Sequence, residues 1–225
     1  MHLIIFDIDG TLVDSIRADD ACFIQAFWEL HQIDLNGADW NSFPHVTDSG
    51  LTTAIFQEYL RREPTSEEVK ELKARFFQLL AQHKDHFEEI PGAREMLATL
   101  QNQPEIKIAL ATGGWRETAE LKLNAVGIEF EDLVFISAND HYDRAVITRL
   151  AIEQSGDQEA FETITYVGDG VWDLKTSRTL QIQFAGVDVR GTNKLTRAGA
   201  GLVMRDLRDT DQLIRWCVAA NPLSE

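Results

Sequence analysis

Two carboxylates with one residue between them follow the aliphatic run LIIF. They are Asp7 and Asp9, in LIIFDIDGTLVDS, and Gly10 comes directly after. Two more acids, Asp169 and Asp173, stand in GDGVWD after the run ITYV, and Thr112-Gly113-Gly114 follows IKIALA. Four carboxylates gathered at one place repel one another unless a cation sits among them. Oxygen ligands without His or Cys select Mg²⁺, which takes one or two carboxylates, water and substrate phosphate. A carboxylate is also a nucleophile able to form an aspartyl-phosphate. In extended geometry Asp9 points to the same side as Asp7 and can give or take a proton. Thr112 and the N–H groups left open by Gly113 and Gly114, near a helix start, suit phosphate oxygens. Helix capping is the competing role for Thr112, and the two coexist. Arg144, opening a later helical stretch, is the candidate cation for charge developing on a phosphoryl group.

Something must bring these residues together. Residues 3–6, 106–111 and 164–167 are continuous aliphatic or β-branched runs, and 133–136 and 182–187 are two more. Such runs suit strands buried on both faces, as in a parallel sheet. Helical patterns fill the intervals at 92–101, 115–126, 143–154 and 172–181. The alternation predicts βαβ units and an α/β, doubly wound sheet. Ligands of open α/β sheets bind beyond the carboxyl ends of the strands. DIDGT, TGG and GDGVWD all fall there.

Residues 15–88 break the rhythm. They hold amphipathic helical stretches at 17–31 and 66–83, the second started by Thr65-Ser66 with Glu67 and Glu68 in its first turn, and no strand. This segment is expected to be a helical cap over the end of the first strand, with residues 1–14 and 89–225 forming the core. Its loop FPHVTDSGL presents His45, Thr47 and Asp48 as candidate substrate contacts, a solvated loop being the alternative.

The chain's 225 residues can bury a sizeable core, and 44% hydrophobic with 26% charged residues is ordinary for a globular protein. A formal net charge of -16 repels nucleic-acid backbones and anionic lipid, so neither is an expected partner. Any phosphate site must then supply positive charge locally. Cys22 and Cys217 lie far apart without His partners and read as inert thiols of a reducing compartment. With no basic region ahead of the first apolar run, and no run near the ~18 apolar residues of a membrane span, the expected location is the cytoplasm. The apolar stretch 21–30 serves a core as readily as a dimer, so monomer and homodimer both stand.

DIDGTLVD resembles the first motif, DxDGTLxD, of the haloacid dehalogenase superfamily. ATGG resembles its second motif and GDGVWD its fourth, GDxxxD, and the helical insert falls where that superfamily carries a C1 cap. The resemblance covers nearly the whole chain. It implies a Rossmann-like core and a Mg²⁺-dependent phosphatase acting on a small phosphorylated metabolite. In its terms Asp7 is the nucleophile and a metal ligand. Asp9 is the general acid and base, lending the metal its backbone carbonyl. Thr112 holds the phosphoryl group, Asp169 binds Mg²⁺, and Asp173 orients the metal's waters. A second Asp in the first motif marks phosphoryl transfer, as opposed to attack on carbon–halogen bonds. The usual third-motif Lys is missing from SANDHYDRAVITRLAI; Arg144 is taken as its substitute, with His141 and Arg149 as rivals. Trp115 and Trp172 either flank the site or pack. Two other functions stay open: a phosphomutase of the same superfamily, and a non-enzymatic partner protein on the same fold.

Overall fold

A computed structural model describes residues 1–219. The first strand, β1 (His2–Phe6), is buried along its whole length, and its alternate side chains enter two separate cores. Ile4 and Phe6 join one apolar cluster, and Leu3 and Ile5 join the other. The period of two thus serves both faces of the sheet, which is why the run shows no polar alternation. The pattern recurs in β4 (Ile106–Ala111), where Ile108 and Leu110 face one cluster and Ala109 and Ala111 the other.

The sheet holds six parallel strands in the order β5-β4-β1-β6-β7-β8, with β5 (Val134–Ile136), β6 (Thr163–Gly168), β7 (Gln183–Val187) and β8 (Leu202–Met204). Helices α4 (Ala93–Gln101), α5 (Arg116–Ala125), α6 (Arg144–Ser155) and α7 (Val171–Leu180) supply crossovers, followed by α8 (Lys194–Arg197) and α9 (Thr210–Val218). The α/β sheet expected from the sequence is therefore present. The strand at 202–204 and the helices on either side of it, α8 and α9, were not expected; for the strand, three residues are too few to print a period. Phe6 lies level with Leu110 on one side and Val167 on the other. The residues just past these positions in β1, β4 and β6 therefore emerge together at one edge.

The chain leaves the core at β2 (Val13–Asp14) and returns at β3 (Glu88–Glu89), which pair antiparallel. No strand was expected near 88, and a two-residue ribbon again shows no periodicity. Between them lie α1 (Ile16–His31), α2 (Asp48–Ile55), one π-helical turn at Phe56–Leu60 and α3 (Ser66–Ala81). The start of α3 is the reciprocal cap read from the sequence, with the Thr65 hydroxyl accepting from the Glu68 N–H while the Glu68 carboxylate accepts from the Thr65 N–H. Phe23 of α1, Phe76 of α3 and Trp115 of the core pack edge-on or tilted, with ring centroids 5.4 to 6.1 Å apart. The helical segment thus shares one apolar cluster with the sheet. Cys22, Phe23, Ala26 and Phe27 point into that cluster, while Trp28 and Leu30 of the same stretch are exposed. Cys22 and Cys217 are free and buried, and burial pushes their thiols up to about 11 and about 12. Among the described residues no helix is long and apolar enough to cross a membrane.

Phe76 is fully buried at this seam. Phe76→Ala is expected to cost about 3–5 kcal/mol. Far-UV circular dichroism and tryptophan fluorescence should still report one denaturant transition, because the seam belongs to a single cluster. Separate melting of the helices would count against that.

Candidate active site

Asp7 extends β1, its N–H donating to the Val167 carbonyl at 2.9 Å. The next turn needs Gly10, whose φ is +74° and where a Cβ would sit 2.7 Å from Cγ of Asp169. That close approach lets the β1 loop lie against the β6 loop. Asp7, Asp169 and Asp173 each offer a carboxylate oxygen within 4.8 Å of the other two, and all three are buried. Asp7 Oδ1 is buried without a hydrogen-bond partner.

Three cations balance this edge. Arg144, first residue of α6, places Nη1 2.9 Å from Asp173 Oδ1, 3.6 Å from Asp7 Oδ1 and 3.4 Å from the Tyr166 hydroxyl. Its Nη2 donates to the Val46 carbonyl of the helical segment at 3.0 Å. A side chain at Gly113 would collide with this guanidinium, so the glycine makes room for it. Lys194 Nζ lies 2.9 Å from Asp169 Oδ2. Lys122 of α5, fully buried, lies 2.7 Å from Asp9 Oδ1 and also pairs with Asp19 of α1.

Burial dominates the electrostatics. It raises Asp7 well above the usual carboxylate range, helped by the charge of Asp173 and opposed by Arg144. It pushes Asp173 up to about 6 against the pull of Arg144, and raises Asp169 against the pull of Lys194. For Arg144 burial works against the charge, yet Asp173 and Asp7 hold its pKa above the ordinary value. A hard dication suits this all-oxygen, crowded, acidic set, with Asp7, Asp169 and Asp173 as its side-chain ligands. The carboxylate of Asp9 lies outside the group, turned to Lys122 and Ser15. Its expected place as a metal ligand therefore rests on its backbone carbonyl alone.

Thr112 and Gly114 line the same cavity, and the Thr112 hydroxyl accepts from the Gly114 N–H at 3.1 Å. Thr112 is not the cap of α5; that position belongs to Trp115, whose N–H donates to Asp48 Oδ2 at 2.7 Å. Thr47 also lines the cavity, but its hydroxyl is committed: it donates to the Tyr142 carbonyl and caps α2 at Gly50. His45 is not among the cavity residues. Its ring lies 3.7 Å from Asp143 and edge-on to Tyr142. Of the rivals for Arg144, His141 accepts from the Asp143 N–H and stacks on Tyr142, and Arg149 is exposed. Trp172 lines the cavity, whereas Trp115 packs in the core.

Lys122, Asp19 and Lys194 were not anticipated. For Lys122 a signal exists: it falls on the buried stripe of α5 with Thr118, Ala119 and Leu123, where an unpaired lysine would not survive. For Asp19 and Lys194 the sequence holds no comparable sign.

Residues 4–187 match the family profile described as haloacid dehalogenase-like hydrolase, and the chain belongs to that family. Glycerol-1-phosphate phosphohydrolases 1 and 2 of Saccharomyces cerevisiae are 28% and 29% identical to it over 136 residues, 60% of this chain. The chain spans about half the length of the curated relatives it matches, 51% of each. Among solved structures, a hydrolase from Pseudomonas syringae superposes with TM-score 0.76 at 24% identity, covering 96% of this chain and 98% of that one. CbbY from Rhodobacter sphaeroides in complex with phosphate gives TM-score 0.70 at 16% identity, covering 93% and 96%. These likenesses are likenesses of fold.

Burial also pushes Asp48 up to about 6. Asp48 and Asp173 titrate higher in the folded chain than the roughly 3.9 of an unfolded Asp. The folded state therefore binds more protons between about pH 4 and 6, and stability falls as pH rises through that window. With chelator present, Tm should be several degrees higher at pH 5 than at pH 7 by calorimetry. Added Mg²⁺ should raise Tm more at pH 7 than at pH 5.

Proposed function

We propose that the chain is a Mg²⁺-dependent phosphatase hydrolysing a small phosphorylated alcohol through an aspartyl-phosphate on Asp7. The observation that carries this reading is Asp7 Oδ1. It is a buried carboxylate oxygen without a hydrogen bond, faced by Arg144 Nη1, and Asp7 lines a cavity of about 260 Å³ with Thr112, Gly113 and Asp9. Mg²⁺, held by Asp7, Asp169 and Asp173, would neutralise the acids and draw charge from the phosphoryl oxygens.

Asp7 attacks phosphorus, the bond from phosphorus to the alcohol oxygen breaks, and Asp9 gives that oxygen its proton. Thr112 and Arg144 hold the phosphoryl oxygens. Water then attacks the phosphorus of the acyl phosphate, Asp9 takes the water's proton, and phosphate leaves with Asp7 restored. Residues 46–48 close over the reacting atoms, tied to the core where the Asp48 N–H donates to the Gly113 carbonyl at 2.8 Å and Val46 accepts from Arg144. Excluding bulk water in this way protects the intermediate. With Cys22 and Cys217 free and buried, the reading keeps the enzyme in a reducing cytoplasm.

Hydrolysis is favoured over phosphoryl return by the charge of the cavity wall. Its cations, Arg144, Arg190 and Lys194, come from the core, while the helical segment contributes Asp19, Asp20 and Asp48. A mutase must hold a second phosphate on that side, where these acids would repel it. An uncharged leaving group fits better, as in the substrate for which the yeast relatives are named.

Phosphate release from glycerol 1-phosphate and a panel of small phosphomonoesters, with Mg²⁺ and with chelator, tests the reading. Turnover should need the metal and fall at least about 10³-fold in Asp7→Asn. Conversion of a hexose phosphate to its isomer without phosphate release would establish the mutase instead.

A further inference from the structure

Lys122 is a fully buried charge for which the reaction above has no use. It does not line the cavity, so it touches no substrate. Its Nζ lies 2.7 Å from Asp9 Oδ1, and its other partner is Asp19 of the helical segment. Asp9 Oδ1 also accepts from the Ser15 hydroxyl. One oxygen of Asp9 is thus held by the Ser15 hydroxyl and by its ion pair with a buried ammonium. The other oxygen, Oδ2, faces the second-motif loop: a Cβ at Gly114 would stand 3.5 Å from it and 3.5 Å from the Thr112 hydroxyl. A carboxylate free to rotate would offer either oxygen in many directions. This one offers a single oxygen, on the side where a phosphate held by Thr112 would be.

Resting on the phosphatase reading, we infer that Lys122 is a positioning residue for proton transfer. It fixes Asp9 by Oδ1 so that Oδ2 meets the leaving-group oxygen, and Asp19 completes its pairing only while the helical segment is docked. The second half follows from location, since α5 belongs to the core and Asp19 to the cap. The triad, built around the buried Lys122, is complete in the docked arrangement alone.

A purely structural ion pair would stabilise the fold without caring which ester is cleaved. A positioned general acid matters for a poor leaving group and hardly at all for one stable as an anion. The experiment therefore compares kcat/KM for glycerol 1-phosphate and p-nitrophenyl phosphate in the wild type, Lys122→Met, Lys122→Arg and Asp9→Asn. In Lys122→Met the alkyl ester should lose about 100-fold or more and the aryl ester less than about tenfold, the signature of Asp9→Asn. Lys122→Arg should recover part of the alkyl activity. If Lys122→Met does not fold, the charge-balanced pair Asp19→Asn with Lys122→Met carries the same comparison. Equal losses on both esters in a folded variant, or no loss, would overturn the inference and leave the phosphatase reading standing. A wild type that cleaves neither ester nor any other phosphomonoester removes that reading and the inference with it.

Discussion

Carboxylates crowded together out of water impose conditions on everything around them. Asp7, Asp169 and Asp173 lie within 4.8 Å of one another at the carboxyl edge of the sheet, and their own solvation is largely lost. Desolvation raises all three, and repulsion from the neighbouring acids adds to it: Asp173 on Asp7, Asp169 on Asp173 and Asp9 on Asp169. Such an arrangement persists only if opposite charge is brought in at close range. The protein supplies Arg144 to Asp7 and Asp173 and Lys194 to Asp169, and a dication would complete the balance. Room for the guanidinium comes from Gly113, and room for the β1 loop against Asp169 comes from Gly10. Electrostatic need thus explains features that look conformational.

The same cluster explains the use of a parallel sheet. Parallel strands all end on one edge, so loops distant in sequence meet there with no special folding of their own. β1 sits between β4 and β6, and its register with both puts Asp7 level with Ala111 and Gly168, so that Thr112 and Asp169 follow one residue later at the same edge. The rigidity of strands buried on both faces then holds the groups still. Backbone amides at that edge, such as the Gly170 N–H donating to Asp173 Oδ2 at 2.9 Å, further fix the acids.

The helical segment contributes a different kind of order. Its buried apolar side chains form one cluster with those of the sheet, joined through Phe23, Phe76 and Trp115. Its polar contacts fall on the working loops: Asp48 on Gly113 and Trp115, Val46 on Arg144, Asp19 on Lys122. It also adds Asp19, Asp20 and Asp48 to the cavity wall.

Much of this was legible in the chain itself. The runs 3–6, 106–111 and 164–167 read as strands because they are short, largely apolar and rich in aliphatic and β-branched residues. DIDGT, TGG and GDGVWD mark their ends because tight turns and acids concentrate where a parallel sheet opens. Those are local properties, and the sequence by itself determined them, together with the α/β class and the helical interruption. Tertiary structure decided what depends on residues meeting across distance. It placed Arg144 at the acids in preference to His141 or Arg149, and it turned His45 aside to Asp143. It joined Lys122 to Asp9 and Asp19, and it formed β3 and β8, each too short to show a period. A charge pair has no periodicity along the chain. Its partners are chosen by which side chains the fold brings within reach after burial has removed water as the alternative.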